Sequence, residues 1–152
     1  MYMLKINFRI SLILIIFFQL TSGYGEEIFL SLKKNKVNVR YGPSLDFPIK
    51  YVYKKINLPI KQIDKKENWR RIIDIKNNSG WIHWSQLKKI NSVIASDEKI
   101  LFKKPSLFSK PIAKIKKGRL LVVQKCEINW CKIKSEKFKG WITADNIWGP
   151  IN

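Results

Sequence analysis

The sequence predicts an all-β protein, two tandem small β-barrels preceded by a secretory signal peptide. Three observations predict it. Gly80-Trp81-Ile82 returns as Gly140-Trp141-Ile142, so one unit is written twice. Short apolar stretches alternate with turn residues, and no segment sustains a 3.6-residue period. Residues 1–25 carry the charge, apolar run and small residues of an export signal.

Lys5 and Arg9 form the positive start of that signal, Ile10 to Leu20 its apolar run, and Gly23 and Gly25 the small residues ahead of a cut before Glu26. The run is shorter than the roughly 17–20 residues of a membrane span. An uncleaved anchor is the alternative. Residues 26–36 then form a lead-in around Ile28-Phe29-Leu30, either an entry strand or a loosely attached segment.

The first barrel is expected over residues 37–90. Val37-Asn38-Val39-Arg40 alternates as a half-buried strand does, and Tyr41-Gly42-Pro43-Ser44 stops it. Ile49–Tyr53 and Ile60–Ile63 resume the pattern on either side of Asn57-Leu58-Pro59. After a turn at Lys65–Asn68, Trp69-Arg70-Arg71-Ile72-Ile73 is the fourth strand. Gly80 opens the fifth, and Ser85-Gln86-Leu87 suggests a single helical turn before closure. Residues 91–98 read as a linker, and the second barrel as residues 99–149. There Pro105-Ser106 echoes Pro43-Ser44, Leu120–Val123 echoes the third strand, and Trp130-Cys131-Lys132-Ile133 echoes Trp69-Arg70-Arg71-Ile72. Units of about 55 to 60 residues bury only about 60% of their unfolded surface, so each core is small and needs its aromatics.

Cys126 and Cys131 flank Glu127-Ile128-Asn129-Trp130. With Ile128 and Asn129 at a hairpin tip, the two cysteines face one another across the strands, close enough for a disulfide in an oxidising compartment. Two reduced thiols packed as small hydrophobes are the alternative. Two thiols without a nearby histidine do not fill a tetrahedral metal site.

The formal charge of +19 attracts polyanions and anionic surfaces. It is mostly lysine, however, and planar recognition of phosphate or bases favours arginine. A dedicated nucleic-acid role is therefore not expected. Nor is catalysis: His83 is the single histidine, the carboxylates are scattered, and Gly42 and Gly118 are isolated turn glycines.

Val37-Asn38-Val39-Arg40-Tyr41-Gly42-Pro43-Ser44, with Trp69-Arg70-Arg71-Ile72 and Gly80-Trp81-Ile82, closely resembles the signature of bacterial Src-homology-3-like (SH3b) domains. The second repeat departs at its opening, where Lys103-Lys104-Pro105-Ser106 lacks the asparagine, arginine and glycine. The resemblance implies small five-stranded SH3-like barrels and a non-catalytic role in targeting peptidoglycan or binding peptides.

The aromatic and basic residues of repeat one supply a candidate groove: Arg40, Tyr41, Phe47, Tyr51, Tyr53, Trp69, Arg70 and Trp84. Stacking and charge-assisted hydrogen bonds there would suit a sugar-peptide strand or an acidic peptide. The competing reading is that these aromatics only fill undersized cores. The expectation is an exported binding protein without cofactor or metal. Its partner would be peptidoglycan or an envelope protein or peptide, with weak attraction to anionic membrane surfaces. A scaffolding role in the envelope and electrostatic adsorption on anionic surfaces are the alternatives.

Overall fold

A computed structural model describes residues 27–150. The signal sequence expected over residues 1–25 lies outside the described residues. The remainder is two seven-stranded antiparallel sheets, each wrapped around its own apolar core, as the twofold echo predicts.

The first sheet comprises β1 (Phe29–Leu32), β2 (Val37–Arg40), β3 (Ile49–Tyr53), β4 (Pro59–Lys66), β5 (Trp69–Ile73), β6 (Ser79–His83) and β7 (Leu87–Lys89). Its strand order is β3-β2-β6-β5-β4-β1-β7. The second comprises β8 (Ser92–Ala95), β9 (Lys99–Phe102), β10 (Pro111–Ile115), β11 (Leu120–Glu127), β12 (Trp130–Ser135), β13 (Phe138–Thr143) and β14 (Ile147–Trp148). Its order, β10-β9-β13-β12-β11-β8-β14, is the same plan strand for strand. Alternation places the core. Val37 and Val39 of β2, Gly80 and Ile82 of β6, and Cys131 and Ile133 of β12 point inward, while their neighbours do not.

Each sheet has two strands more than the five expected. The lead-in forms β1, pairing with β4 through Leu30 and Ile60 and with β7 through Leu32 and Leu87. The linker expected over residues 91–98 is corrected more sharply. Its Ser92-Val93-Ile94-Ala95 is β8, buried at all four positions and hydrogen-bonded between β11 and β14. A strand covered on both faces shows no polar alternation, so a short apolar run within a polar stretch has the sequence of a connector.

The two barrels therefore meet directly. Ser31 Oγ of β1 and Ser92 Oγ of β8 are 2.9 Å apart in a buried hydrogen bond, and Ser92 also donates to the Asn57 carbonyl. Phe29 packs edge-on against Trp148 at 5.1 Å, so strands from opposite ends of the chain close the junction.

Each barrel closes at its glycine-tryptophan step. β6 is in ladder register with β2 at one pair, Arg40 and Trp81, and β13 with β9 at one pair, Phe102 and Trp141. A helical turn, Trp84–Gln86, follows β6 as expected. It is a 3-10 turn whose start is capped by the His83 side chain.

In the second barrel, Cys126 stands opposite Cys131 and Glu127 opposite Trp130, with Ile128-Asn129 at the tip. A disulfide joins the two cysteines. It encloses only a short loop, so its chain-entropy contribution is about 2 kcal/mol. The double variant Cys126→Ser with Cys131→Ser is expected to lose about that much, measured by urea unfolding. A reductant should lower the midpoint of the native protein and leave the variant unchanged.

Candidate functional site

The structure distributes the eight groove residues over three places on the first barrel. Arg40 ends β2, and Phe47 lies in the long loop that leads from it to β3. The Arg40 guanidinium donates to the carbonyls of Leu45 and Phe47, at 3.1 and 2.6 Å, and the Phe47 ring folds onto Gly42. Gly42 is needed there because any Cβ would sit 2.5 Å from that ring. This arginine is thus occupied with its own loop. Tyr41 is exposed beside it, with Lys50 Nζ 5.6 Å from its ring centroid, and borders a shallow depression with Arg71 and Trp81.

Trp69, Arg70 and Trp84 lie near the turn between β4 and β5. Trp69 is buried against the edge of the His83 ring, centroids 5.3 Å apart. Arg70 donates to the carbonyls of Glu67 and Trp69 and so braces the turn. Trp84 is 55% exposed, and its amide bonds the Asn68 carbonyl.

Tyr51 and Tyr53 are the third group. They pack edge to face on β3, and the Tyr53 hydroxyl donates to Asp74 Oδ2 at 2.9 Å. Burial, above all, pushes both phenols above the ordinary tyrosine range, and the neighbouring Asp74 charge adds to it. Asp74 is itself saturated. It accepts the amides of Lys76 and Asn78, both at 2.9 Å, and the Asn78 side chain.

That third group opens onto a cleft of about 780 Å³ between the two barrels. Tyr53, Leu58 and Ile75 form its wall on one side, and Ile94, Ala95 and Gly118 on the other. Lys55, Lys76 and Lys117 line it as well. Asp74 is the single carboxylate among its lining residues, and its oxygens are already engaged. The cleft is thus an apolar trough with cationic rims. Sequence reasoning brought only Tyr53 to it. The rest comes from both repeats, so no stretch of sequence displays it. Asp74 alone left a trace, as the start of an Asp-Ile-Lys-Asn-Asn turn.

The second barrel has a groove of about 730 Å³ where the first presents Trp84, lined by Leu107, Ile128, Trp130 and Asp145 among others. A hydrogen bond from Thr143, together with the buried Lys99 ammonium 3.3 Å away, holds the Asp145 carboxyl below its usual range. Among the described residues no three of His, Cys, Asp and Glu converge as a metal site would require.

Two barrels of one plan, each closed by a glycine-tryptophan step, define a tandem SH3-like protein. The family profile described as bacterial SH3 domain matches residues 33–89 and again 95–149. The chain belongs to that family. No curated protein matches it. Among solved structures it is similar to NlpC2 from Trichomonas vaginalis, at 15% identity and a TM-score of 0.38, over 84% of this chain and 50% of that one. NlpC1 from the same organism gives 14% identity and a TM-score of 0.38, over 86% of this chain and 48% of that one. The chain spans about half the length of both.

Proposed function

We propose that the protein is an exported, non-enzymatic binding protein that holds an anionic cell-envelope component, peptidoglycan first, in the cleft between its barrels. One observation carries this reading. The cleft joins an apolar floor to three lysines, while its one carboxylate is consumed by internal hydrogen bonds. Domain junctions are favoured places for ligand sites. A strand carrying carboxylates on a sugar-peptide backbone offers both complements, apolar faces for the floor and charge for the rim. Export is supported by the signal-like residues 1–25, and the absence of enzymatic activity by the engagement of every polar group in the cleft's Tyr53-Asp74 cluster.

The test is sedimentation with purified peptidoglycan in moderate salt. The protein is expected to bind several-fold better than a basic control of equal size, and Lys55→Glu with Lys76→Glu to lose most of that margin. Binding equal to the control's would remove the reading. A scaffolding role is favoured by a different observation, the buried Ser31–Ser92 junction that fixes one barrel on the other. It predicts that the lysine variants behave as wild type while an envelope protein is retained.

A further inference from the structure

The second repeat departs from the family pattern in the loop that follows β9. Between β9 and β10 runs Lys103-Lys104-Pro105-Ser106-Leu107-Phe108-Ser109-Lys110. Its base is stitched by the Lys103 amide to the Lys110 carbonyl at 3.0 Å and by the Lys104 amide to Ser109 Oγ at 2.9 Å. Its tip therefore projects as a formed turn. At that tip Phe108 is 101% exposed and Leu107 68%. Across the groove of the second barrel stands Ile128, 96% exposed at the tip of the disulfide-bonded hairpin. Its φ of 50° is a conformation that β-branched residues avoid. Asparagine or glycine would serve that turn without strain, so an apolar group is kept there against local preference.

The charges around the tip are all of one kind. Lys103, Lys104 and Lys110 are exposed, and among the described residues none of the three is held in an ion pair. The nearest carboxylates are answered already, Asp145 by Lys99 and Glu127 by Lys125. The matching loop of the first barrel is built otherwise. Asp46 stands beside Leu45 at its tip, hydrogen-bonded to Ser44, and Phe47 is folded back on Gly42. So the second loop has lost the arginine and glycine that tuck an aromatic in, and has gained lysines that bracket an aromatic pointing out.

Convex apolar side chains at two adjacent loop tips, ringed by cations with no free carboxylate, have the chemistry of an interfacial anchor. The apolar groups enter the headgroup boundary while lysine stems reach back to the phosphates. Phe108, the most exposed of the three, stands outside the groove that Leu107 and Ile128 line, so a protein segment seated in that groove would leave it in water. We propose that the second barrel docks on an anionic lipid surface through Leu107, Phe108 and Ile128, with Lys103, Lys104 and Lys110 on the headgroup phosphates. This stands on residues separate from the cleft and holds whatever fills that cleft.

Vesicle co-sedimentation of the full chain tests it, with phosphatidylcholine alone and mixed with phosphatidylglycerol. The protein is expected to partition onto the mixed vesicles about tenfold more strongly than onto the neutral ones. Leu107→Ser, Phe108→Ser and Ile128→Ser combined leave the net charge unaltered and are expected to lower that partition about tenfold. Phe108→Ser alone should give part of the loss, and its unfolding midpoint confirms that the barrel is intact. Equal partition onto both vesicles overturns the proposal. So does a triple variant that binds as wild type does, which would leave adsorption to bulk charge and the apolar tip to a protein partner.

Discussion

Gly140→Ala is expected to destabilise the second barrel by about 3 kcal/mol, at the upper end of what one inserted carbon costs in a packed interior. A Cβ there would lie 2.6 Å from the Phe102 carbonyl oxygen, 2.9 Å from Leu101 Cγ and 3.1 Å from Ile112 Cδ1. The first of these is backbone of β9, which cannot rotate away. Moving it would separate β13 from β9 at Trp141 and Phe102, their one pair in ladder register. Gly80 repeats the arrangement, its Cβ position falling against Val39 Cγ1 and 3.0 Å from the Arg40 oxygen. There the closest atom belongs to a fully buried, β-branched core side chain with no room to turn, so the same change should cost about as much. Gly118→Ala is the control. Nothing lies within 4 Å of its Cβ position, and only its φ of +79° opposes a side chain, for about 1 kcal/mol. Urea unfolding followed by tryptophan fluorescence measures all three. A Gly140→Ala midpoint no lower than that of Gly118→Ala would show that the glycine-tryptophan step does not close the barrel.

This step was legible because its cause is local. A glycine ahead of an alternating strand marks a close backbone approach, and it occurs twice in one sequence. The alternation of Val37 and Val39 was legible for the same reason, as was the opposition of Cys126 and Cys131 across a two-residue tip. What escaped the sequence depends on partners far along the chain. β1 and β8 are short and apolar, and they are strands only because β4, β7, β11 and β14 lie on either side of them. The cleft draws on both repeats, so Ile94 and Lys117 carry no local sign of belonging beside Tyr53. The role of Arg40 escaped for another reason. An arginine flanked by aromatics has the composition of a ligand contact, yet the nearest acceptors, two carbonyls of its own loop, claim it first.

Asp74→Ala is expected to cost the first barrel about 2–4 kcal/mol, because the carboxylate gathers four donors, of which the Tyr53 hydroxyl alone has another oxygen in reach, the Tyr51 hydroxyl at 3.4 Å. The Tyr53 hydroxyl, the amides of Lys76 and Asn78 and the Asn78 side chain all converge on it. The two amides lie in an exposed turn where water replaces part of the loss, which holds the cost below the sum of four charged hydrogen bonds. Asp74→Asn does not rescue it. An amide offers one acceptor oxygen and turns its own donors toward donors, so a loss of similar size is expected. The tyrosines give a second readout. Their raised folded-state pKa means that the folded protein keeps protons that the unfolded chain releases, so stability falls as pH rises above about 10. Burial is the main cause, and Asp74 adds to it. Removing the carboxylate should therefore shift tyrosine ionisation downward only part of the way, seen as phenolate absorbance. Because Asp74, Ile75, Lys76 and Asn78 also line the cleft, Asp74→Ala should weaken binding to peptidoglycan even at a temperature where the barrel remains folded. A variant that binds undiminished while losing the expected stability would separate the turn from the site and place the ligand elsewhere on the barrel.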